Sequence, residues 1–352
     1  MSSKTAENRM IHYDLLRIAA AFSVVMLHSA AQFWYSLDVS STEWQIANTY
    51  DALFRFGVPV FVMISGALFL NREYHLDLKR LYKHNILRLV ILYIIWSCLY
   101  GICDIATYHG GIPGYKDIIR ECLYGRYHLW FLPMLAGIYV LLPVLKSWVE
   151  HAERKNIEYF LLLFFVLQIC SSTLRALTVT DELHMLLELT KVEMACSYIG
   201  YFIWGYYLTH VGISDRLGKG FCLLAIPACI CNVVLGNSLA KRAGYAVGEI
   251  YDSFGLFTFI IATALFWSAV RLGSKISFGR RTRGIIKEIS ACTLGVYVMH
   301  IGLMEISFQK GIHSMLLPNV LGIPLYALAC FLLCTAAAAV LRRIPLIGKY
   351  IC

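Results

Sequence analysis

The sequence has 352 residues, of which 59% are hydrophobic and only 15% charged, whereas a soluble globular domain carries about 25% charged residues. This composition excludes an ordinary soluble domain. The net charge of +9 does not indicate a nucleic-acid-binding module, because the basic residues lie between apolar segments. A membrane-spanning helix needs about 20 apolar residues, so the chain has room for about ten such helices in a single domain, residues 1–352, and for no second domain.

Apolar runs of the required length recur along the whole chain and predict ten transmembrane helices. They cover residues 12–33, 46–70, 84–106, 129–148, 157–174, 192–213, 220–240, 252–271, 289–309 and 322–343. The sequence therefore predicts an all-α polytopic membrane protein.

Lysine and arginine concentrate in alternate connections of this predicted bundle. They follow the second, fourth, sixth and eighth spans, with the longest basic stretch at residues 271–287, and the intervening connections are poorer in positive charge. Because positive loops stay on the cytoplasmic side, both termini are expected in the cytoplasm of a cell-membrane protein. Arg9, the apolar run 18–27 and the small residues 29–31 imitate a signal peptide, but Asp14 is atypical of one, so we expect the segment to be retained.

The twelve cysteines do not form a recognisable framework. Most of them, including Cys98, Cys170 and Cys334, lie inside apolar runs, so we interpret them as small core residues. Cys229 and Cys231 lack a nearby Cys or His motif, and we predict no metal site.

The first predicted helix contains three ionisable residues, Asp14, Arg17 and His28. An ionisable side chain inside a bilayer costs roughly 2.5 to 3.5 kcal/mol on insertion scales, so such residues usually face an interior cavity and function there. The eleven-residue step from Arg17 to His28 is about three helical turns, which places both on one face roughly 16 Å apart. Asp14 lies on the same face and can pair with Arg17. The alternatives are a snorkelling arginine and a packing histidine.

Further polar residues fall inside later predicted helices: Arg55, Arg88, Tyr297, His300 and Glu305. Each could serve only as a tether between helices. Tyr297 and His300 are three residues apart and share a helical face. Gly57-Val58-Pro59 and Ser65-Gly66 in the second span permit close packing or a kink.

These residues together resemble a known family, the acyltransferase-3 family of integral membrane acyltransferases. The resemblance extends over nearly the whole chain, and its most specific motif is the arginine, ten residues, histidine pattern of Arg17 and His28. The other matching segments are Asp14 to Ala19, Gly57 to Phe61 with Ile64-Ser65-Gly66, Leu129-Trp130-Phe131-Leu132, and Leu294 to His300. Within this family the chain is similar to the stand-alone O-acetyltransferases of surface polysaccharides, which do not have the fused esterase-like domain of longer relatives. The family commonly has two arginines at the start of the third span, and here Asn85 takes the first place and Arg88 the second.

The resemblance implies an acyl-CoA-dependent O-acyltransferase, with acetyl-CoA as the expected donor and an envelope glycan or lipid-linked glycan as the acceptor. No bound cofactor is expected, and the oligomeric state is open. Arg17, Arg88, Lys83 and Arg80 would bind donor phosphates, to which the basic stretch 275–287 could add. His28 would act as general base, with Asp14, His300 and Tyr297 in the catalytic group and Arg55 or Trp130 at the oxyanion or acceptor. A transient acyl-histidine is an alternative.

Two other classes of function remain open from the residues alone. One is a secondary transporter with ionisable residues near the midplane, although residues 1–175 and 176–352 show no internal repeat. The other is a sensing or recruiting membrane module without chemistry. His210 and Asp215 match the spacing of a glycerolipid acyltransferase motif, which we interpret as a coincidence, and the basic stretch 271–287 is also explained by topology alone.

Overall fold

The computed structural model describes residues 3–108, 114–177, 193–273 and 275–344, together with positions 185 and 348. In these residues the chain is helical and contains no strand. The α-helices are α1 Ser3–Ala31, α2 Thr42–Leu53, α3 Gly57–Phe69, α4 Leu87–Tyr108, α5 Tyr115–Tyr124, α6 Phe131–His151, α7 Arg154–Leu163, α8 Ser171–Leu177, α9 Glu193–Tyr206, α10 Asp215–Ala243, α11 Leu256–Gly273, α12 Arg280–Gln309 and α13 Asn319–Leu341.

Short segments of other helical types extend or join several of these helices. One turn at Leu78–Arg80 and a π-helical segment at Leu81–Ile86 lead into α4. A second π-helical segment, Phe164–Cys170, joins α7 to α8, and a third, Tyr207–Val211, continues α9. The 3₁₀ turn Tyr127–Trp130 leads into α6.

Nine helical stretches in the described part of the chain are long and apolar enough to cross a membrane. They are Ile11–Ala31, Thr42–Phe69, Leu78–Cys103, Tyr127–His151, Arg154–Leu177, Asp215–Ala243, Glu249–Gly273, Arg280–Gln309 and Asn319–Leu341. Each corresponds to one predicted span, which confirms the all-α polytopic fold. The remaining predicted span, 192–213, corresponds to α9 and its π-helical continuation, whose buried Tyr201, Phe202 and Ile203 lie inside the bundle.

The second predicted span, 46–70, is broken into two helices. Helix α2 ends at Leu53, residues 54–56 form a turn, and α3 begins at Gly57. Pro59 lies in the first turn of α3, where a missing backbone N–H costs no intrahelical hydrogen bond. Of the two roles left open for Gly57-Val58-Pro59, close packing or a kink, a break in the helix is present, and it lies at residues 54–56 directly before them.

Two glycines of α3 allow neighbouring backbones to approach closely. A Cβ atom on Gly57 would lie 2.3 Å from the Ser23 hydroxyl of α1, and one on Gly66 would lie 1.7 Å from the Phe202 carbonyl oxygen of α9. On the other side of the same contact, a Cβ on Gly205 would lie 2.0 Å from the Met63 carbonyl oxygen. Small residues at helix crossings let membrane helices pack by van der Waals contact.

Polar contacts near helix termini mark the two ends of the bundle. At the first, here called the basic end, the Lys146 ammonium donates to the Asn71 carbonyl at 2.9 Å, and Arg271 pairs with Asp215. At the opposite end, Asn48 donates to the Asn237 amide oxygen at 2.8 Å. Helix α1 runs between the two ends and packs against α2, α3, α11, α12 and α13. It is therefore the element on which a site inside the bundle is built.

The cysteine interpretation holds at some positions and fails at another. Cys334 is buried, as expected of a small core residue. Cys98 instead is disulfide-bonded, so the prediction that it is a core thiol is wrong. Its position in the apolar α4 concealed this, because hydropathy does not report which side chains are brought together by the fold.

Candidate functional site

The Arg17 side chain is held by two neighbours near the N-terminal half of α1. Its guanidinium lies 3.1 Å from a carboxylate oxygen of Asp14, three residues earlier. The same oxygen accepts a hydrogen bond of 2.7 Å from the Ser290 hydroxyl of α12. Arg17 is 30% exposed and Asp14 14% exposed. The predicted ion pair is present, and it fixes the direction of the guanidinium while leaving one side of it accessible.

Arg17 lines a cavity of about 310 Å³, which we call the arginine cavity. Asn85 lines it from the π-helical segment Leu81–Ile86, Arg88 from the start of α4, and Tyr297 from α12. The remaining walls are mainly apolar, with Phe61, Leu135 and Leu294 among them. Two arginines in a mostly apolar cavity can bind an anionic group such as a phosphate, because guanidinium groups form charge-assisted and bidentate hydrogen bonds.

Arg80 and Lys83 do not reach the arginine cavity. Together with Asp77, Lys79 and His84 they line a separate surface pocket of about 540 Å³ at the basic end. The Asp77 carboxylate caps the short turn by accepting from the backbone N–H of Lys79 at 2.9 Å. His84 lines both this basic pocket and the arginine cavity. The four cations predicted for the donor are thus divided between two adjoining spaces.

The other predicted residues surround a second cavity, of about 710 Å³, near the opposite end of α1. We call it the histidine cavity because His28 lines it. Arg55 and Trp130 also line it, as do the aromatic residues Trp34, Tyr35 and Tyr127 and the polar residues Gln32, Asp51 and Glu305. The single helix α1 therefore presents Arg17 to one cavity and His28 to the other.

Three histidines from three elements meet behind the histidine cavity. The ring centroids of His28 and His300 are 5.1 Å apart, and those of His300 and His128 are 5.2 Å apart. His28 comes from α1, His128 from the 3₁₀ turn before α6, and His300 from α12. His300 is fully buried and His128 is 2% exposed, so His28 is the member that borders the cavity.

Hydrogen bonding favours one tautomer of a neutral His300 ring. Its Nδ1 lies 2.7 Å from the Tyr297 carbonyl oxygen and 3.2 Å from that of Val296. A carbonyl oxygen only accepts, so Nδ1 carries the proton and Nε2 of the neutral ring keeps its lone pair. That Nε2 is buried and has no hydrogen-bond partner among the described residues. In this tautomer the Nε2 atom can accept a hydrogen bond.

The turn that carries His128 folds back into the bundle after Gly125. Gly125 has φ of +64°, and a Cβ there would lie 2.6 Å from the Tyr93 hydroxyl oxygen. Only glycine adopts such a left-handed conformation without cost in so little space. The following Arg126 pairs with Glu305 of α12, which ties the turn to the helix that bears His300.

Tyr297 and the same turn separate the two cavities. The Tyr297 hydroxyl donates to the backbone carbonyl of His128, and its ring packs edge-on against Phe131 with centroids 5.6 Å apart. Tyr297 and Phe131 line the arginine cavity, whereas Tyr127 and Trp130 line the histidine cavity. The ring centroids of Tyr297 and His300 are 6.2 Å apart and those of His300 and His28 are 5.1 Å apart, so three side chains link one cavity lining to the other.

Arg55 is part of a buried polar network rather than an isolated charge. Its guanidinium forms two hydrogen bonds to the Asp51 carboxylate, of 3.0 Å from Nε and 2.5 Å from Nη2. It also lies over the Tyr251 ring, 5.3 Å from the centroid. Asp51 is fully buried, and Arg55 remains 29% exposed toward the cavity. This bidentate pairing gives Arg55 a fixed geometry at the cavity wall.

A comparison with protein families agrees with this geometry. The model of the acyltransferase-3 family, described as an acyltransferase domain, matches residues 11–342. This chain is a member of the acyltransferase-3 family. Comparisons with curated proteins and with solved structures give no significant match. Family membership makes this acyltransferase a membrane enzyme and argues against the transporter and the sensing module.

The structure shows the surroundings of two features noted in the sequence of this acyltransferase. Asn85, which stands where the family commonly has an arginine, lines the arginine cavity beside Arg88. His210 and Asp215 bind different partners, because His210 Nε2 lies 2.8 Å from the Ala67 carbonyl oxygen and Asp215 pairs with Arg271. Each of the two side chains thus has a partner outside the motif.

Sequence reasoning missed several residues around the site of this acyltransferase: His128, Asp51, Arg126 and Tyr127. His128 precedes Leu129-Trp130 at the edge of a predicted span. A histidine at this position does not carry the burial cost that marks an ionisable residue inside a span. Asp51 could have been found, because it lies four residues before Arg55 in one predicted helix and such pairs form ion pairs. In the described part of the chain, no group of three or more His, Cys, Asp or Glu side chains has a geometry that could hold a metal ion.

Proposed function

We propose that this membrane acyltransferase transfers an acyl group, with acetyl as the working donor, from cytosolic acyl-CoA to a hydroxyl of an envelope glycan. The observation that supports it most directly is the position of the histidine cluster between two cavities of different character. One cavity carries two arginines and the other is lined by aromatic and polar side chains. A group-transfer enzyme needs this arrangement, with a base where the two substrates meet.

The arginine cavity and the basic pocket suit the nucleotide part of acyl-CoA. Their cationic groups can bind phosphates, and His84 joins the two spaces. The positive-inside rule assigns the basic end to the cytoplasm, where acyl-CoA is found. The narrow pantetheine arm would then extend along α1 from Arg17 toward Tyr297 and present its thioester to the histidine cluster.

The histidine cavity suits a sugar acceptor. Trp34, Tyr35, Tyr127 and Trp130 provide rigid aromatic surfaces, and Gln32 provides hydrogen-bonding atoms. Sites of this kind combine a mostly apolar lining with a few placed polar groups that orient the ligand. A volume of about 710 Å³ lies within the usual range for small-molecule sites of roughly 300 to 1,000 Å³.

The proposed reaction uses His28 as general base. Its ring nitrogen takes the proton of the acceptor hydroxyl while that oxygen forms a bond to the thioester carbonyl carbon. The carbon–sulfur bond then breaks, and the protonated imidazole returns its proton to the leaving thiolate, so charge balances over the cycle. Arg55 lines the same cavity as His28 and can stabilise the oxyanion. The Tyr297 hydroxyl is engaged by the His128 carbonyl, which makes it the weaker candidate for that role.

Transfer of radiolabelled acetyl from acetyl-CoA to cell-envelope glycan tests this proposal. Membranes contain the wild type, His28→Ala or His151→Ala at matched protein levels. His151 is an exposed histidine at the basic end, far along the chain from the cluster, and serves as the matched control. We expect label with the wild type and the His151 variant and a loss of at least a hundredfold with His28→Ala. Unchanged transfer by His28→Ala would exclude His28 as the base, and no label with any of the three would reject the proposed reaction.

A further inference from the structure

A third cavity opens on the side of the bundle, between α4, α12 and α13. We call it the lateral groove, and its volume is about 730 Å³. Its lining is largely apolar, including Trp96, Leu99, Leu303, Ile306, Leu333 and Ala337. Leu99, Ile306 and Leu333 are 44%, 55% and 59% exposed. In a membrane-spanning bundle such side chains face the hydrocarbon layer, so the groove is open to lipid chains rather than to water.

The charged and amide side chains of the groove lie at one of its ends. Along α12 it runs from Met299 to Gln309, the last residue of the helix, which is about 15 Å of helical rise. Glu305 and Gln309 lie toward the opposite end of the bundle, and Met299, next to the buried His300, lies deeper. A membrane lipid, with its polar group near the surface and its hydrocarbon chain toward the midplane, has the same distribution of polarity as the groove.

The polar end of the groove joins the histidine cavity. Glu305 lines both spaces. Its partner Arg126 lies over the Tyr100 ring, 5.9 Å from the centroid, and Tyr100 is itself a wall of the groove. Met304 lines the histidine cavity, while Leu303 and Ile306 on either side line the groove. A molecule with a polar head in the cavity can therefore extend an apolar chain into the groove without crossing the bundle.

We infer that the acceptor is a lipid-linked glycan, whose sugar occupies the histidine cavity while its long hydrocarbon chain lies in the lateral groove. This inference rests on the proposed function and narrows its acceptor to a membrane-bound intermediate instead of a finished, water-soluble polysaccharide. The class of reaction that supplies the substrate is then the assembly of glycans on a membrane lipid. The hydrocarbon chain enters the groove from lipid, which is as apolar as the groove lining, so the main role of the groove is alignment of the acceptor.

The test compares two acceptors that differ only in the lipid. One is the lipid-linked glycan fraction extracted from the producing cells with organic solvent, and the other is the same glycans after mild acid has removed the lipid. Acetyl transfer from acetyl-CoA is measured in proteoliposomes with the full-length wild type, with finished envelope glycan as a third acceptor. We expect transfer to the lipid-linked fraction to exceed transfer to the released glycans at least tenfold.

Variants of α13 test the groove itself. Leu333→Trp and Ala337→Trp place a large ring in the groove, and the matched controls Leu332→Trp and Ala336→Trp place it one residue earlier, outside the groove lining. All four positions are exposed, so the four variants should insert equally well. We expect the first pair to reduce transfer to the lipid-linked glycans at least fivefold and to leave transfer to the released glycans unchanged, and the second pair to change neither.

The outcomes separate this inference from the proposed function. The inference is wrong if the wild type acetylates released or finished glycan at the same rate as the lipid-linked fraction. It is also wrong if Leu333→Trp and Ala337→Trp do not lower transfer to the lipid-linked substrate, because the groove then does not hold the acceptor. In either case the acyltransferase assignment survives, because label is transferred. If no acceptor is labelled, the proposed reaction itself fails, and the lipid-linked acceptor is rejected with it.

Discussion

The imidazole rings of His28 and His300 lie with their centroids 5.1 Å apart, one on α1 and the other on the adjacent α12. His28 borders a cavity, and His300 is fully buried behind it with Nδ1 committed to a backbone carbonyl. The second ring is therefore placed to position the first or to relay its proton. This relationship makes the role of His300 directly testable.

Replacing His300 with Ala should lower kcat about a hundredfold and leave the KM for acyl-CoA nearly unchanged, because the donor binds at the arginines and the proton moves at the histidines. The measurement is a steady-state acetyl-transfer assay with varied acetyl-CoA. His313→Ala is the control, since His313 packs against Phe33 at the opposite end, outside the cluster. A rise in KM with an unchanged kcat would assign His300 to donor binding instead.

The Asp14 carboxylate should control donor affinity through Arg17. In Asp14→Ala the guanidinium loses its 3.1 Å partner and can rotate away from the arginine cavity, so we expect the KM for acyl-CoA to rise several-fold with little change in kcat. Ser290→Ala removes only the hydroxyl that positions Asp14 and should show the same effect at smaller size. Equal and large losses of kcat in both variants would contradict a positioning role.

The pair formed by Arg55 and Asp51 should be a source of stability that depends on both partners. Arg55→Met leaves a fully buried carboxylate without its cation and should destabilise the fold by about 3 kcal/mol, the lower end of the range for broken buried pairs because Arg55 is partly exposed. The double variant Asp51→Asn/Arg55→Met should recover much of this loss. Thermal unfolding in detergent compares the stability of the single and double variants. A loss in the double variant equal to the sum of the two single losses would show that the two side chains act independently.

The contact between α3 and α9 should not tolerate even one added methyl group at Gly66. Its Cβ would lie 1.7 Å from a backbone carbonyl oxygen, which a side-chain rotation cannot relieve. We expect Gly66→Ala to reduce the yield of folded protein and its unfolding temperature strongly. Gly137→Ala, where nothing lies within 4 Å, should instead be neutral or stabilise by about 0.5 kcal/mol through helix propensity. Similar behaviour of the two variants would contradict the close packing.

The sequence by itself determined the helices and the residues that share one helix. Hydropathy is local, because a span must bury about 20 consecutive apolar residues in lipid whatever its neighbours are. The pairing of Asp14 with Arg17 and the common face of Arg17 and His28 followed from the helical repeat alone. The same reasoning placed Tyr297 beside His300.

Only the tertiary structure decided which helices meet. His28, His128 and His300 are brought together by the packing of α1, α12 and the turn before α6, and no local pattern encodes that contact. Apolar helix surfaces in lipid are nearly equivalent to one another, so partners are selected by small-residue fits such as Gly66 against Phe202 and by polar pairs such as Arg126 with Glu305. The division of the predicted cations between two spaces, and the disulfide at Cys98, arise from the same long-range packing.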